Sequence, residues 1–321
     1  MRWEPLRVRD AADWADVITE AEVADQTGEH YDADDLAEEL EDPQLDLATA
    51  TIGGWDGDRL AAVGVLRTAG SPNPVHRVYF DGVVRPAYRR QGVGGQLLAW
   101  AIATTPAVAD ARHPGGRVEL HADVNDANEG KRALLTREGF ASQRWFFTMR
   151  RPLGGDLPEV SLPAGYRIEP FDGHHDEPAR LTRNAAFVDH WGSSDQTPET
   201  WKQWFTGTRA FRPDLSFVAI SDDADGDELA AVQLTQYYEA DTQATGRSEA
   251  WIHTIGTRRD HRRKGVAGAL LASALRQAQL AGFAQAGLGV DADSPTGALG
   301  FYQSAGFTVE HRHARYVRPL S

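Results

Sequence analysis

The stretch Arg262-Arg263-Lys264-Gly265-Val266-Ala267-Gly268 decides how the rest of the chain is read. It follows a strand-like run, Trp251-Ile252-His253-Thr254-Ile255-Gly256-Thr257, and precedes an Ala/Leu-rich pattern of helical period. Basic residues, then small ones, then a helix start make an anion cradle. The first amides of a helix have no intrahelical partner, and the helix dipole adds positive charge there. Gly265, Ala267 and Gly268 let a ligand approach the backbone closely, which suits a phosphate or diphosphate.

The pattern recurs as Arg89-Arg90-Gln91-Gly92-Val93-Gly94-Gly95, after the run Val78-Tyr79-Phe80-Asp81-Gly82-Val83-Val84. The offset between the two loops is 173 residues. Gly139-Phe140 also matches Gly306-Phe307, and Arg151-Pro152-Leu153 matches Arg318-Pro319-Leu320, both at an offset of 167. The difference falls in residues 105–116 of the first copy, read as an extra loop because it carries Pro and Gly. Three landmarks in the same order mean an internal duplication.

At these residues the chain resembles the GNAT superfamily of acyl-CoA-dependent N-acyltransferases. The family signature Arg/Gln-x-x-Gly-x-Gly/Ala is matched by Arg89-x-x-Gly92-x-Gly94 and by Arg262-x-x-Gly265-x-Ala267. The resemblance covers nearly the whole chain as two tandem copies. It extends to the two-domain actinobacterial type that includes mycothiol synthase, through Met149-Arg150-Arg151-Pro152-Leu153 and Asn184-Ala185-Ala186-Phe187.

The resemblance implies an α/β fold of two GNAT-type domains, each a mixed, mainly antiparallel sheet flanked by helices. Residues 1–153 would form an N-terminal domain, expected to be degenerate in catalysis yet able to bind CoA. Residues 154–165, dense in Pro and Gly, read as a linker. Residues 166–321 would form the catalytic domain. The implied reaction moves an acetyl group from acetyl-CoA to the primary amine of a small molecule, by direct transfer and without a metal. CoA would be held by Arg262 to Gly268, by the backbone of Ile255, Gly256 and Thr257, and by Ser294. In the first copy Arg89, Arg90, Gln91, Gly92, Val93, Gly94 and Gly95, with Gly82, Val83 and Val84, are the matching set.

The family places a proton-donating tyrosine four residues before the Gly-Phe pair, and Tyr302 occupies that position. A phenol of reference pKa ~10 can protonate a departing thiolate whose own pKa is near ~8.5. The first copy has Leu135 there, which cannot donate. For the base, strand alternation puts Glu249, Trp251, His253 and Ile255 on one face. The family draws a carboxylate from this strand, which points to Glu249. His253, ordinarily titrating near ~6.5, is an equal alternative, and solvent is a third. Their counterparts in the first copy are His76 and Phe80.

Composition bounds the alternatives. At 321 residues the prior is two domains. A net charge of −14 argues against a nucleic-acid partner, which calls for a basic footprint. No apolar run is long enough to span a membrane, and the first residues lack a basic-then-apolar leader, so the expected location is the cytoplasm. Zero cysteines exclude disulfides, thiolate metal sites and a cysteine nucleophile. The expected partner is a small-molecule amine, with the protein a monomer or homodimer. Rival readings are the same chemistry on a peptide, protein or aminoglycoside amine, or a non-catalytic CoA-binding scaffold. Locally, residues 47–55 read as a strand, Thr197-Pro198 as a helix start, and 222–227 as a hairpin turn.

Overall fold

The computed structural model describes residues 1–70, 75–222 and 228–320. In chain order the first half runs β1 (Arg2–Glu4), α1 (Ala11–Asp25), α2 (Ala33–Leu40), α3 (Leu47–Ala50), β2 (Thr51–Asp56), β3 (Arg59–Thr68), β4 (His76–Val84), α4 (Val93–Arg112), β5 (Val118–Asn125), α5 (Glu129–Arg137) and β6 (Ala141–Pro152). The second half runs β7 (Tyr166–Pro170), α6 (Asp176–Phe187), α7 (Pro198–Trp201), β8 (Phe217–Ser221), β9 (Leu229–Gln236), α8 (Glu239–Thr245), β10 (Glu249–Thr257), α9 (Val266–Leu280), β11 (Gln285–Asp291), α10 (Ala298–Ser304) and β12 (Thr308–Pro319).

Neither of the two compact units coincides with a sequence repeat. One holds Met1–Phe146 and the chain from His311 onward, and the other holds Phe147–Glu310. The boundaries 1–153 and 166–321 differ from these because the repeats trade their last strands. Within the first unit β12 pairs antiparallel with β5, from His313 opposite Asn125 to Pro319 opposite Glu119. Within the second, Met149 and Leu153 of the β6 end lie in one core with Leu288, Tyr302 and Phe307. The Leu153 amide donates to the Ala284 carbonyl at 3.0 Å.

The first unit's strands lie in the order β1-β2-β3-β4-β5-β12. All are antiparallel except β4 and β5, whose parallel pairing ends at Tyr79 opposite His121. Since β4 continues to Val84 and β5 to Asn125, the two strands part beyond that point. The second unit repeats the plan as β6-β11-β10-β9-β8-β7. There β10 and β11 pair in parallel only from Glu249 opposite Gln285 to Ile252 opposite Leu288.

One feature separates the two plans. Between β10 and β9 the register slips at Ile252/Thr254, leaving His253 as a bulged extra residue. In the first unit β4 pairs with β3 without a slip from Val84 to Val78. The bulge overturns the simple alternation expected for β10, because one inserted residue reverses the facing of all that follow. Ile255 packs with Val266 and Leu270 of α9. The His253 ring instead lies edge-on to Phe205 at 4.9 Å, and Gly256 faces Ala186 and Phe187 of α6.

Three local readings change for stated reasons. Residues 47–50 are a helical turn, not strand, because the Asp46 side chain accepts from the Ala48 amide at 3.1 Å and the Thr49 hydroxyl at 2.8 Å. Residues 105–112 continue α4 through Pro106 instead of looping out. Pro106 brings no amide to the helix ladder, but burial of Val108 and Ala109 in the core holds the last turns down. Helix α8 had no expected counterpart. Thr197 caps the helix start at Pro198 as read, its hydroxyl accepting from the Thr200 amide. Past Asp222 the expected hairpin turn lies outside the described residues.

Candidate active site

The cradle forms where the sequence places it, in both units. Helix α9 starts after Gly265 at φ 90° and α4 after Gly92 at φ 84°, and neither start has a side-chain cap. Arg263 and Arg90 also take positive φ, 59° and 62°, a conformation that non-glycine residues adopt only where surroundings impose it. Arg263, Lys264 and Gly265 are exposed, as are Arg90, Gln91 and Gly92, while Val266 and Val93 anchor the first turns in the core. Ala267, Gly268, Gly94 and Gly95 complete first turns whose amides have no intrahelical acceptor. A Cβ on Gly268 would stand 3.9 Å from Phe301, and one on Gly94 3.4 Å from Leu134, so in each unit the helix after the parting strands flanks the cradle.

The signature arginines are already bonded within their own units. Arg262 Nε donates to the Thr257 carbonyl at 3.2 Å and Nη2 to the Ala186 carbonyl at 2.8 Å, with Asp189 3.4 Å from Nη1. Arg89 repeats this with the Val84 carbonyl at 2.9 Å and a two-pronged pair to Asp25 at 2.7 Å. A guanidinium so committed ties the loop to the strand end and to the first helix of its unit.

Beyond Ile252 the β11-facing edge of β10 has no strand partner among the described residues, while its other edge pairs with β9 at Ile255, Gly256 and Thr257. The open edge ends at the cradle. In the first unit Gly82, Val83 and Val84 occupy the same place opposite Gly64, Val63 and Ala62 of β3. Ser294 lies in the turn between β11 and α10, its hydroxyl bonded to Thr296 at 2.9 Å.

Tyr302 sits on α10 beside Phe301 and Phe307, at ring separations of 5.1 and 6.0 Å. Burial pushes its pKa upward, so the phenol stays protonated well above neutral pH. Among the described residues its hydroxyl has no hydrogen-bond partner. Leu135 takes the same position on α5 and is fully buried. The equivalence extends to the backbone: the Phe307 amide donates to the Tyr302 carbonyl, and the Phe140 amide to the Leu135 carbonyl, both at 3.0 Å.

Glu249 and His253 are not brought together as alternatives of equal standing. Glu249 is buried, and its carboxylate accepts from Arg150 Nε at 2.6 Å and from Gln285 Nε2 at 2.7 Å. A Cβ on Gly287 would fall 2.7 Å from that carboxyl group, so this glycine makes room for it. Arg150 was not anticipated, because it arrives on the strand contributed by the other repeat. His253 is half-buried, and desolvation, with the charge of Arg183 second, lowers its pKa to about 4. Its imidazole is therefore neutral at pH 7.

Glu169, His174 and His175 cluster with ligand-type atoms within 4.8 Å of one another. The His175 Nδ1 accepts from the Asp172 amide at 3.2 Å. That bond places the neutral ring's proton on Nε2, facing Glu169 at 3.4 Å. Among the described residues that Nε2 makes no hydrogen bond, and with Nδ1 accepting, the His175 ring offers no lone pair to a metal.

Two parted parallel strands that open onto an uncapped helix start, repeated in two units, define a tandem acyltransferase-type fold. The comparisons agree: residues 13–140 and 179–307 each match the Acetyltransferase (GNAT) family. The chain belongs to that family and is an acyltransferase. It is 32% identical to a mycothiol acetyltransferase of Frankia alni, over 98% of this chain and 94% of the relative. It is 30% identical to that of Thermobispora bispora, covering 79% and 78%. Among solved structures, a GCN5-related N-acetyltransferase from Sphaerobacter thermophilus superposes with a TM-score of 0.74 at 23% identity, covering 99% and 95%. A tandem GNAT protein from the clavulanic acid biosynthesis pathway gives 0.70 at 16%, covering 100% and 98%. No helix among the described residues is long and apolar enough to cross a membrane.

Proposed function

We propose that the second unit transfers an acetyl group from acetyl-CoA to the primary amine of a small molecule. The observation that carries this is the open edge of β10, which runs from the bulge at His253 to the uncapped start of α9, with Phe301 and Tyr302 alongside. The cradle amides, Arg263 and Lys264 receive the diphosphate, and the free backbone edge from His253 to Thr257 receives the pantetheine arm as an added strand would. The amine attacks the thioester carbonyl: a C–N bond forms and the C–S bond breaks. His253, neutral and without a hydrogen-bond partner among the described residues, takes the ammonium proton. Tyr302 gives a proton to the departing sulfur and is restored by the second proton the nitrogen loses on becoming the amide, so amide and free CoA thiol are the products. Both substrates meet in one complex, so the gain comes from placement.

Glu249 is the weaker choice of base, since Arg150 and Gln285 already occupy its oxygens. The first unit has the cradle but Leu135 for the phenol, Phe80 for His253 and no bulge in β4, which supports CoA binding or a structural role there. The small-molecule acceptor rests on the likeness to the mycothiol acetyltransferases. The test is thiol release from acetyl-CoA across a panel of primary amines, beside a CoA titration. Amine-dependent release supports the proposal; tight CoA binding without release for any amine replaces it with the scaffold reading.

A further inference from the structure

Arg183 on α6 is a buried cation with an unmet hydrogen-bond donor. It is only 9% exposed; the charge of the exposed Asp195 acts on it, but among the described residues no carboxylate makes a direct ion pair with it. Its Nη1 donates to the Ser194 carbonyl at 2.6 Å, with Asn184 Oδ1 at 3.5 Å. Its Nε is shielded from solvent and has no hydrogen-bond partner among the described residues. The guanidinium lies against Phe187 and Phe205, 4.8 and 5.6 Å from their ring centres. Phe205 in turn touches the bulged His253.

A buried guanidinium with an unmet donor is costly to keep. The other unshielded alternative, a water-facing arginine, would have been available to a helix with exposed Leu181 and Val188 on its outer side. Arg183 instead turns toward the strand that carries the reacting groups, on the side of β10 opposite α9. A planar, two-pronged donor matches the two oxygens of a carboxylate. Resting on the acetyl-transfer reading above, we propose that the acceptor carries a carboxylate as well as the reacting amine, and that Arg183 receives this carboxylate through its Nε edge. A carboxylate there would also offset the charge that helps hold His253 neutral and weakly basic, so a correct acceptor would raise the basicity of the proposed proton acceptor as it binds.

The experiment compares matched amines in the thiol-release assay: an α-amino acid, its neutral amide, and a phosphorylated amine of similar size. The full-length protein is expected to prefer the carboxylate over the neutral amide by about tenfold or more in kcat/KM, the size of one charge-assisted bond. Arg183→Met is expected to lose that preference and Arg183→Lys to keep part of it. Equal turnover of acid and amide by the unaltered protein overturns the inference without reference to any variant. So does a preference for the phosphorylated amine, or a preference retained in Arg183→Met. If no amine releases thiol at all, it is the acetyl-transfer reading that fails.

Discussion

Arg318 Nη1 donates to the Glu138 carbonyl at 2.7 Å, and Arg151, the matching residue one repeat earlier, donates to the Ala305 carbonyl. In each bond the donor comes from one repeat and the acceptor from the other. Both acceptors are orphan carbonyls at the end of the helix that carries Leu135 or Tyr302. The exchange of last strands is thus fixed at equivalent points in the two units.

Removing one of these donors leaves a helix-end carbonyl unmet. Arg318→Met is expected to destabilise the first unit by about 1.5–3 kcal/mol, the range for a hydrogen bond to a charged donor. Urea denaturation followed by tryptophan fluorescence would show the lowered midpoint. An unshifted midpoint would mean that the strand pairing alone secures β12.

Tyr302→Phe removes only the hydroxyl, since the ring packs on Phe301 and Phe307 and has no bond to lose. Turnover is expected to fall about 10²-fold or more, with CoA affinity nearly unchanged. Equal turnover in variant and parent would end the assignment of the phenol as the acid.

The repeat, the two glycine-led helix starts and the placement of Tyr302 on α10 are legible because each is a local pattern with its own spacing. The Arg-x-x-Gly loop fixes a helix start, and a residue four before Gly-Phe fixes a helix position. What escaped was set by non-local pairing. Ile255 was assigned to the wrong face because the bulge at His253 arises only from the pairing of β10 with β9. The partnership of Arg150 with Glu249 was invisible because the residues are a repeat apart and meet only through the strand exchange. The sequence shows the charge of Arg262 but not its bonds to the Thr257 and Ala186 carbonyls, which depend on how α6 packs beside β10. Arg183 carried no signal at all: an arginine in an amphipathic helix reads as solvated until its burial is seen.

His253 gives a pH signature. Its folded pKa, about 4, lies below the ordinary 6.5, so between those values the unfolded chain binds the extra proton and stability falls as pH drops. The contribution is at most about 3 kcal/mol, complete only below pH ~4. His253→Gln is expected to flatten that part of the stability curve, measured by urea denaturation at pH 7 and pH 5. It should also lower turnover and alter the acid limb of the kcat profile. An unchanged profile would return the proton to solvent or to Glu249.

The two cradles are predicted to be unequal in function. Gly265→Glu puts a negative charge into the anion site and a side chain at φ 90°, where strain of about 1–3 kcal/mol is expected. It should abolish transfer. Gly92→Glu carries the same strain but should leave substantial activity, because Leu135 and Phe80 cannot supply the chemistry. CoA titrations of both variants would show which cradle is filled. Activity lost with Gly92→Glu and kept with Gly265→Glu would reverse the assignment of the working unit.

The Arg150–Glu249 pair separates structure from catalysis. Both side chains are largely buried, at 12% and 5% exposure. Removing one partner of a buried pair leaves an uncompensated charge, at a cost of about 3–5 kcal/mol. Arg150→Met should therefore be much less stable than the parent, even though Gln285 still donates to the carboxylate. The double variant Arg150→Met/Glu249→Met replaces both charges with apolar groups of similar length and should recover most of that loss. Gln285 and Glu310 then lose partners, which sets how complete the recovery is. If His253 accepts the proton, the double variant, once folded, should retain acetyl transfer within about tenfold, far less than the 10²–10⁴-fold that loss of a general base costs. A stable double variant with no transfer would identify Glu249 as the base after all, with Arg150 as the group that orients it.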